Sequence, residues 1–259
     1  MRRLLRPASG ILLTLLIVTL VWETARFLLG PPEELFPPLK EVFAQLMADL
    51  RGGNLLPQIL FSMGMIAAGL SAGVGASVLL VFLAELHPLF GRLIDGAAAV
   101  FHPLPGIALL PVVILWFGTG IPAVLVIIIH SVLWPLTTAL KSGYESIPRT
   151  YLLVADNYGF GSGERFVKVT LPASFPYLLA GLKISWARAW RALISAEMVF
   201  GAVAYAGGLG WYIFSKRVFM DTAGIFSGLT AVVLIGVIVE QGLLRPLERV
   251  TIERWGMHR

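Results

Sequence analysis

The sequence has 259 residues, of which 57% are hydrophobic and only 14% charged, with a formal net charge of +5 and a mean hydropathy of +0.83. A water-soluble domain of this size has no use for that much apolar surface, so the composition specifies a polytopic membrane protein. The lack of cysteine excludes disulfides, thiolate metal sites and thiol chemistry; without basic runs interleaved with aromatics, the positive charge points to Lys and Arg on a cytoplasmic face rather than to nucleic acid.

The N-terminus, MRRLLRPASGILLTLLIVTLVWETARFLLG, has a basic start and an apolar core. A cleaved signal peptide is the rival reading, but no small-x-small cleavage site follows cleanly, and an uncleaved first span over Ile11–Leu29 is expected. Gly30-Pro31-Pro32 ends it. In Glu33–Asn54, Leu39, Val42, Phe43, Leu46 and Leu50 recur at helical spacing, which predicts an amphipathic helix of about 12 residues lying on the membrane face. Leu55–Leu86 is the second span, with Gly64, Gly69, Gly73 and Gly75 offering small faces for close packing. Arg92 and Asp95 fall in the short connection after it. Gly96–Phe117 is the third span, interrupted by His102-Pro103-Leu104-Pro105-Gly106 and Pro111; such breaks are tolerated where a cavity or neighbour satisfies the freed backbone. Ala123–Leu140 is the fourth span and contains His130 and Pro135.

A polar stretch follows. Within Pro148–Pro172 two short helices are expected: TYLLVADNY, opened by Pro148 with Ser146 as a possible N-cap and closed by Gly159, and ERFVKVTL, halted at Pro172. Ala173–Phe200 is the fifth span and carries Arg188, Arg191 and Glu197. Gly201–Asp221 is a loop with glycines at 201, 207, 208 and 210 and a short amphipathic piece, Trp211–Phe219. Thr222–Leu244 is the sixth span, and the tail RPLERVTIERWGMHR is basic. The fold class is thus all-α with about six transmembrane helices. Its parts are residues 1–54 (first span and outer amphipathic segment), 55–245 (transmembrane core, with the polar loop at 141–172) and 246–259 (tail).

Six spans put both termini on one side. That side carries Arg2, Arg3, Arg6, Arg92, Lys141, Arg149, Arg165, Lys168, Arg245, Arg249, Arg254 and Arg259, twelve basic residues, against four (Lys40, Arg51, Lys216 and Arg217) on the other. The positive-inside rule places the termini and the polar loop in the cytoplasm, so whatever docks on Pro148–Pro172 is a cytoplasmic partner.

Gly159, nine residues, then Val169-Thr170-Leu171-Pro172 resembles the cytoplasmic "EAA" loop of the membrane subunits of bacterial ABC importers, which runs Glu-Ala-Ala, three residues, Gly, nine residues, Ile-x-Leu-Pro. Ala155, Gly159, Leu171 and Pro172 match, with Val169 for Ile; Leu153 stands where the motif has Glu, and Val154 where it has the first Ala. His102-Pro103-Leu104-Pro105 with Leu110-Pro111 and Leu115-Trp116-Phe117-Gly118-Thr119-Gly120 is similar to the broken stretch of the nitrate/sulfonate/taurine/bicarbonate importer group. So are the segments Phe175–Lys183, Ala187–Trp190, Ala196-Glu197-Met198 and Gly207-Gly208-Leu209-Gly210.

The resemblance implies a type I importer permease of a bacterial inner membrane, acting as a homodimer or heterodimer. It implies two cytoplasmic ATPase subunits that bind ATP and Mg, and a periplasmic or lipid-anchored binding protein that delivers a small anionic solute. No GxxxxGK[ST] occurs in this chain, so ATP chemistry belongs to the partner. The loop is then a coupling helix. Its expected contact residues are Tyr151, Leu152, Ala155, Asp156, Tyr158, Gly159, Leu171 and Pro172, with Tyr151, Leu152 and Tyr158 as the main grip. Charges at bilayer depth cost about 2.5–3.5 kcal/mol on insertion scales, so Arg188, Arg191 and Glu197 face protein or water. They are candidates, with His102 and His130, for the translocation pathway; the structural alternatives are pairing with groups on neighbouring spans or snorkelling to the cytoplasmic side for the arginines, and hydrogen-bonded packing for the histidines. The histidines show no metal spacing. Glu85 and Glu240, near cytoplasmic ends, carry no assigned function. A secondary transporter or channel without an ATPase is the alternative class, but no inverted repeat speaks for it.

Overall fold

The computed structural model describes residues 2–32, 34–53, 55–201, 207–248 and 250–251, the first eight of these by backbone alone. Every regular element among the described residues is helical. The tail residues Arg249, Arg254, Trp255 and Arg259 lie outside the description.

Three helices form the core: α3 (Leu55–Leu86), α6 (Ile121–Glu145) and α10 (Phe175–Phe200). α3 and α6 run parallel, and small residues let their backbones meet. A Cβ on Gly69 would stand 2.3 Å from Ile128 Cγ2, and one on Gly73 2.6 Å from Val132 Cγ1. Gly64 and Gly75, on other faces, have nothing within 4 Å. α10 runs antiparallel to both: Gly181 lies against Ala139, Gly143 against Tyr177, and Ser185 Oγ donates to the Val132 carbonyl at 3.3 Å. Close small-residue packing is what membrane helices use where hydrophobicity alone gives no preference for one another. The buried centre is Ile66, Val124, Ile128, Val132, Leu136, Ala189, Leu193 and Leu209.

Among the described residues, four helices or helical runs are long and apolar enough to cross a membrane: Gly10–Leu29 within α1 (Arg2–Leu29), α3, α6, and Thr222–Glu248. The last joins α12 (Thr222–Val239), a π turn at Glu240–Leu244 and α13 (Arg245–Glu248). The expected third span is bent. α4 (Pro88–Phe101) and the helical run Gly106–Phe117, a 3-10 turn leading into α5 (Leu110–Phe117), meet at 88°. α4 begins eight residues before the expected Gly96, because His87 Nδ1 accepts from Leu89 N–H and Pro88 suits a first helical turn. Arg92 and Asp95 are therefore helical, not in a connection. α10, the expected fifth span, is about 39 Å long at 1.5 Å per residue but is not apolar enough to join the four, because of Lys183, Arg188, Arg191 and Glu197.

α1 stands apart from the core, its apolar window entirely unburied. It is tied down at one end, where Trp22 stacks on Phe36 at 4.1 Å and meets Phe226 edge-on at 4.8 Å. Glu23 Oε1 accepts from Leu39 N–H at 3.0 Å, capping α2 (Leu39–Arg51), whose own N-cap residue is Pro38. This helix is the expected amphipathic one; Val42, Leu46 and Asp49 form its buried face.

Candidate functional site

The polar stretch folds at one end of α3. α7 (Arg149–Asn157) starts after Pro148; Ser146, read as a possible N-cap, instead ends α6 and turns its hydroxyl to the Gly143 carbonyl. α7 ends as expected. Gly159, at φ +78°, donates to the Asp156 carbonyl at 2.9 Å, and Phe160 N–H reaches Ala155 O at 3.1 Å. That pair of bonds is a Schellman ending, and its left-handed residue is most cheaply glycine.

The second short helix does not halt at Pro172. α8 (Ser162–Arg165) passes into a π turn at Phe166–Thr170 and then α9 (Leu171–Ala173). Leu171 N–H bonds to the Phe166 carbonyl five residues back. The wider turn absorbs Pro172, which has no N–H and whose ring would otherwise crowd the carbonyl four residues earlier.

Two contacts fasten this loop to α3, a helix it is not joined to in sequence. Phe166 is buried with Val81 and Leu140, and its ring meets Phe82 at 5.1 Å. Arg165 Nε donates to Glu85 Oε1 at 2.8 Å and Nη1 to Asp156 Oδ1 at 2.9 Å. The Glu85 side chain is 1% exposed. Burial works against the Arg165 charge, but hydrogen bonds to Glu85 and Asp156 outweigh it and hold the guanidinium above its ordinary pKa.

The expected coupling residues therefore divide. Ala155 is buried, Leu152 and Leu171 half-buried, and Asp156 is engaged by Arg165. Facing outward are Tyr151, Leu153, Val154 and Tyr158, the last 78% exposed, together with Gly159 and Pro172.

Beside the broken span lie two adjoining cavities that share Pro103. One, about 390 Å³, is lined by Pro105, Gly106, Ser131, Arg188, Arg191 and Ser195 among others. The second, about 570 Å³, is lined by Asp95, His102, Thr137, Thr138, Lys141 and Glu145. Arg188 Nη2 donates to the His102 carbonyl at 3.0 Å, satisfying backbone freed by the break; Arg191 Nε donates to Ala187 O at 3.1 Å and is exposed. Lys141 bridges Asp95 and Glu145. His130 is half-buried and lines neither cavity.

Glu197 lies elsewhere. It is fully enclosed, its carboxylate accepting from Ser62 Oγ at 2.7 Å and from Gly210 N–H at 2.9 Å, while Ser62 Oγ accepts from Leu209 N–H at 2.9 Å. These amides open α11 (Leu209–Val218), whose N-cap, Gly208, has no side chain to satisfy them. A distant carboxylate and hydroxyl perform the capping, and the negative charge suits a helix N-terminus. A Cβ on Gly208 would lie 2.0 Å from Glu197 Oε1, and one on Gly210 2.3 Å from the Ile194 carbonyl. A sealed carboxylate with its partners inside cannot meet a passing solute, so Glu197 leaves the candidate pathway and becomes a fastener. Residues 202–206, leading into α11, lie outside the description.

Beside it, Tyr212 Oη donates to Asp49, which also receives Gln45 Nε2 at 2.8 Å and Lys216 at 3.4 Å; Lys216 pairs with Asp221 at 2.8 Å. Burial raises the Asp49 pKa, but Tyr212, Gln45 and Lys216 together bring it below the usual carboxylate value. Burial and then Asp49 push Tyr212 upward. The sequence reading named neither Ser62 nor Asp49. Asp49 had a signal, being an acid on the Val42–Leu46 face of an amphipathic helix.

Membrane-length helices around a polar groove, with a firmly docked loop at one end, define a polytopic transport subunit. The chain belongs to the family described as the binding-protein-dependent transport system inner membrane component, whose model matches residues 66–249. Over 91% of its length, covering 86% of the relative, it is 25% identical to the taurine transport system permease protein TauC of Escherichia coli. It is 29% identical to the nitrate import permease protein NrtB of Leptolyngbya laminosa over 72% of its length and 65% of the relative. A bicarbonate transport system permease protein, CmpB of Synechocystis, is 25% identical over 93% of this chain and 86% of the relative. The chain is a multi-pass membrane permease subunit.

Proposed function

We propose that this permease carries a small anionic solute along the groove beside the broken span and takes its driving force from a separate ATPase dimer seated against α7. In this reading ATP and Mg are bound by the ATPase, a second copy of the permease completes the path, and a periplasmic or lipid-anchored binding protein supplies the solute. The termini and α7 face the cytoplasm, as the twelve-to-four distribution of basic residues favours. The relatives' named solutes, taurine, nitrate and bicarbonate, all carry an oxyanion. Arg188, Arg191 and Ser195 offer such a group cationic and hydroxyl donors within one cavity, and His102 lines the adjoining one.

The observation that carries the coupling role is the outward crest of α7. Tyr151 and Tyr158 are 62% and 78% exposed, on a short helix and at its C-terminal cap, the end closed by the Gly159 turn. An aromatic patch on a rigid mount suits a protein partner. Shape and apolar packing replace the charge contact of the motif's glutamate, because Leu153 stands in its place and Asp156 is already paired with Arg165.

The test is Gly159→Asp. A left-handed φ costs a side-chain-bearing residue about 1–2 kcal/mol, and nothing lies within 4 Å of the added Cβ. The helix ending should shift while the spans insert normally. Co-purification of the ATPase subunit should fall sharply at unchanged membrane yield; full retention would remove the reading.

A further inference from the structure

Helices α6 and α10 are the spans joined covalently to the loop, so a pull on α7 reaches them through the chain. α3 has no such link, yet a part-buried ion pair and a ring contact tie it to the loop. Glu85 lies in the last turn of α3, where the helix macrodipole disfavours a carboxylate. A buried acid there is tolerable only if paired, and Arg165 pairs it at 2.8 Å. The same guanidinium reaches Asp156 on α7 at 2.9 Å. Asp156–Arg165–Glu85 is thus a continuous polar chain from the outward-facing helix to a span that is remote in sequence, backed by Phe166 against Val81 and Phe82.

We infer that Glu85 and Arg165 are positioning residues that make α3 a third arm of the lever, so that displacement of α7 moves α3 together with α6 and α10. This rests on the proposed seating of α7 on an ATPase.

The chain's lack of cysteine allows a direct test. Leu86→Cys, beside Glu85 and 44% exposed, reports on α3; Tyr177→Cys, 41% exposed at the start of α10, reports on an arm that the chain itself connects. In the permease–ATPase complex, maleimide labelling rates are compared in the absence of nucleotide and after trapping with ATP, Mg and vanadate. Both rates should change on trapping. With Glu85→Gln the response at position 86 should vanish and that at 177 persist. An undiminished response at 86 in Glu85→Gln overturns the inference. So does loss at both positions, which marks the pair as structural only. No response at either position in the otherwise unaltered chain overturns the seating of α7 itself, a failure distinct from the other two.

Discussion

The two ends of α3 solve one problem in opposite ways. Ser62 and Glu85 are about 35 Å apart along the helix at 1.5 Å per residue, and each joins α3 to a segment far away in sequence through a buried carboxylate. At the Ser62 end, Glu197, two backbone amides and packed glycines form a fully enclosed joint with no room for an added methyl group. At the Glu85 end, the joint is half-open: Arg165 is 23% exposed, and beyond it stands an exposed aromatic crest. One joint is closed because its neighbours are all within the chain; the other leaves an exposed face, the one proposed above to seat the ATPase. The contrast predicts a permease that pivots on its glycine end and is driven from its loop end.

Breaking the closed joint should have the largest effect. Glu197→Ala leaves the Ser62 hydroxyl and the Gly210 amide without an acceptor in a sealed site, at about 1–3 kcal/mol for each orphaned group, and adds a cavity. Gly210→Ala forces a methyl group against the Ile194 carbonyl, where a backbone atom cannot move aside cheaply. Both variants should give a strongly lowered melting temperature and poor recovery of monodisperse protein. A melt unchanged from the parent would show that the glycine end is not the fixed point.

At the loop end the comparable core truncation is Phe166→Ala, with an expected loss of about 3–5 kcal/mol by the core-truncation scale. Here the loss should be local. Hydrogen exchange of α7 through α9 should accelerate while α3 near Ser62 stays protected. Uniform acceleration along the whole chain would mean that the two ends are not separable.

The sequence made the spans, the amphipathic helix, the Gly159 ending and the break at His102–Pro105 legible, because each depends on hydropathy or on local backbone chemistry. It left the partners of the buried charges undecided. Glu197 was recognisable as costly at bilayer depth, but nothing local distinguishes a pathway carboxylate from one that caps α11 across the fold. Glu85 carried no assigned function, and Arg165 only counted toward the cytoplasmic charge; their approach is what gives them a role. The π turn at Phe166–Thr170 was hidden because a helix-breaking proline has an alternative to ending the helix, namely widening the turn before it.

The Asp49 contact separates an electrostatic clamp from a packed one. Its folded pKa is depressed below 3.8, so its contribution is complete above that value and is lost as pH falls through the folded value. Asp49→Asn should melt below the parent at pH 7 by an amount reflecting hydrogen bonds to a charged group, about 1.5–3 kcal/mol. The gap should begin to close as pH falls below 3.8 and should vanish once pH is below the folded value. A gap that persists to lower pH would assign the clamp to the packing of Tyr212 rather than to the carboxylate.

The smallest expected effect sharpens the open end. Leu153→Glu restores the motif's acid at a position 50% exposed. It removes no buried contact, and Arg149 lies one turn earlier on α7, so stability should stay within about 0.5 kcal/mol. On the proposed seating Tyr151 and Tyr158 supply the grip, so retention of the ATPase should not rise, since a rim charge adds little affinity. Tyr158→Ala should weaken retention at the same melting temperature. Should Leu153→Glu instead bind the ATPase markedly more tightly, the partner has kept a cation for a glutamate this chain lacks, and the grip on α7 is electrostatic in part. The comparison of the two ends would then rest on charge at both, with the loop end left one carboxylate short.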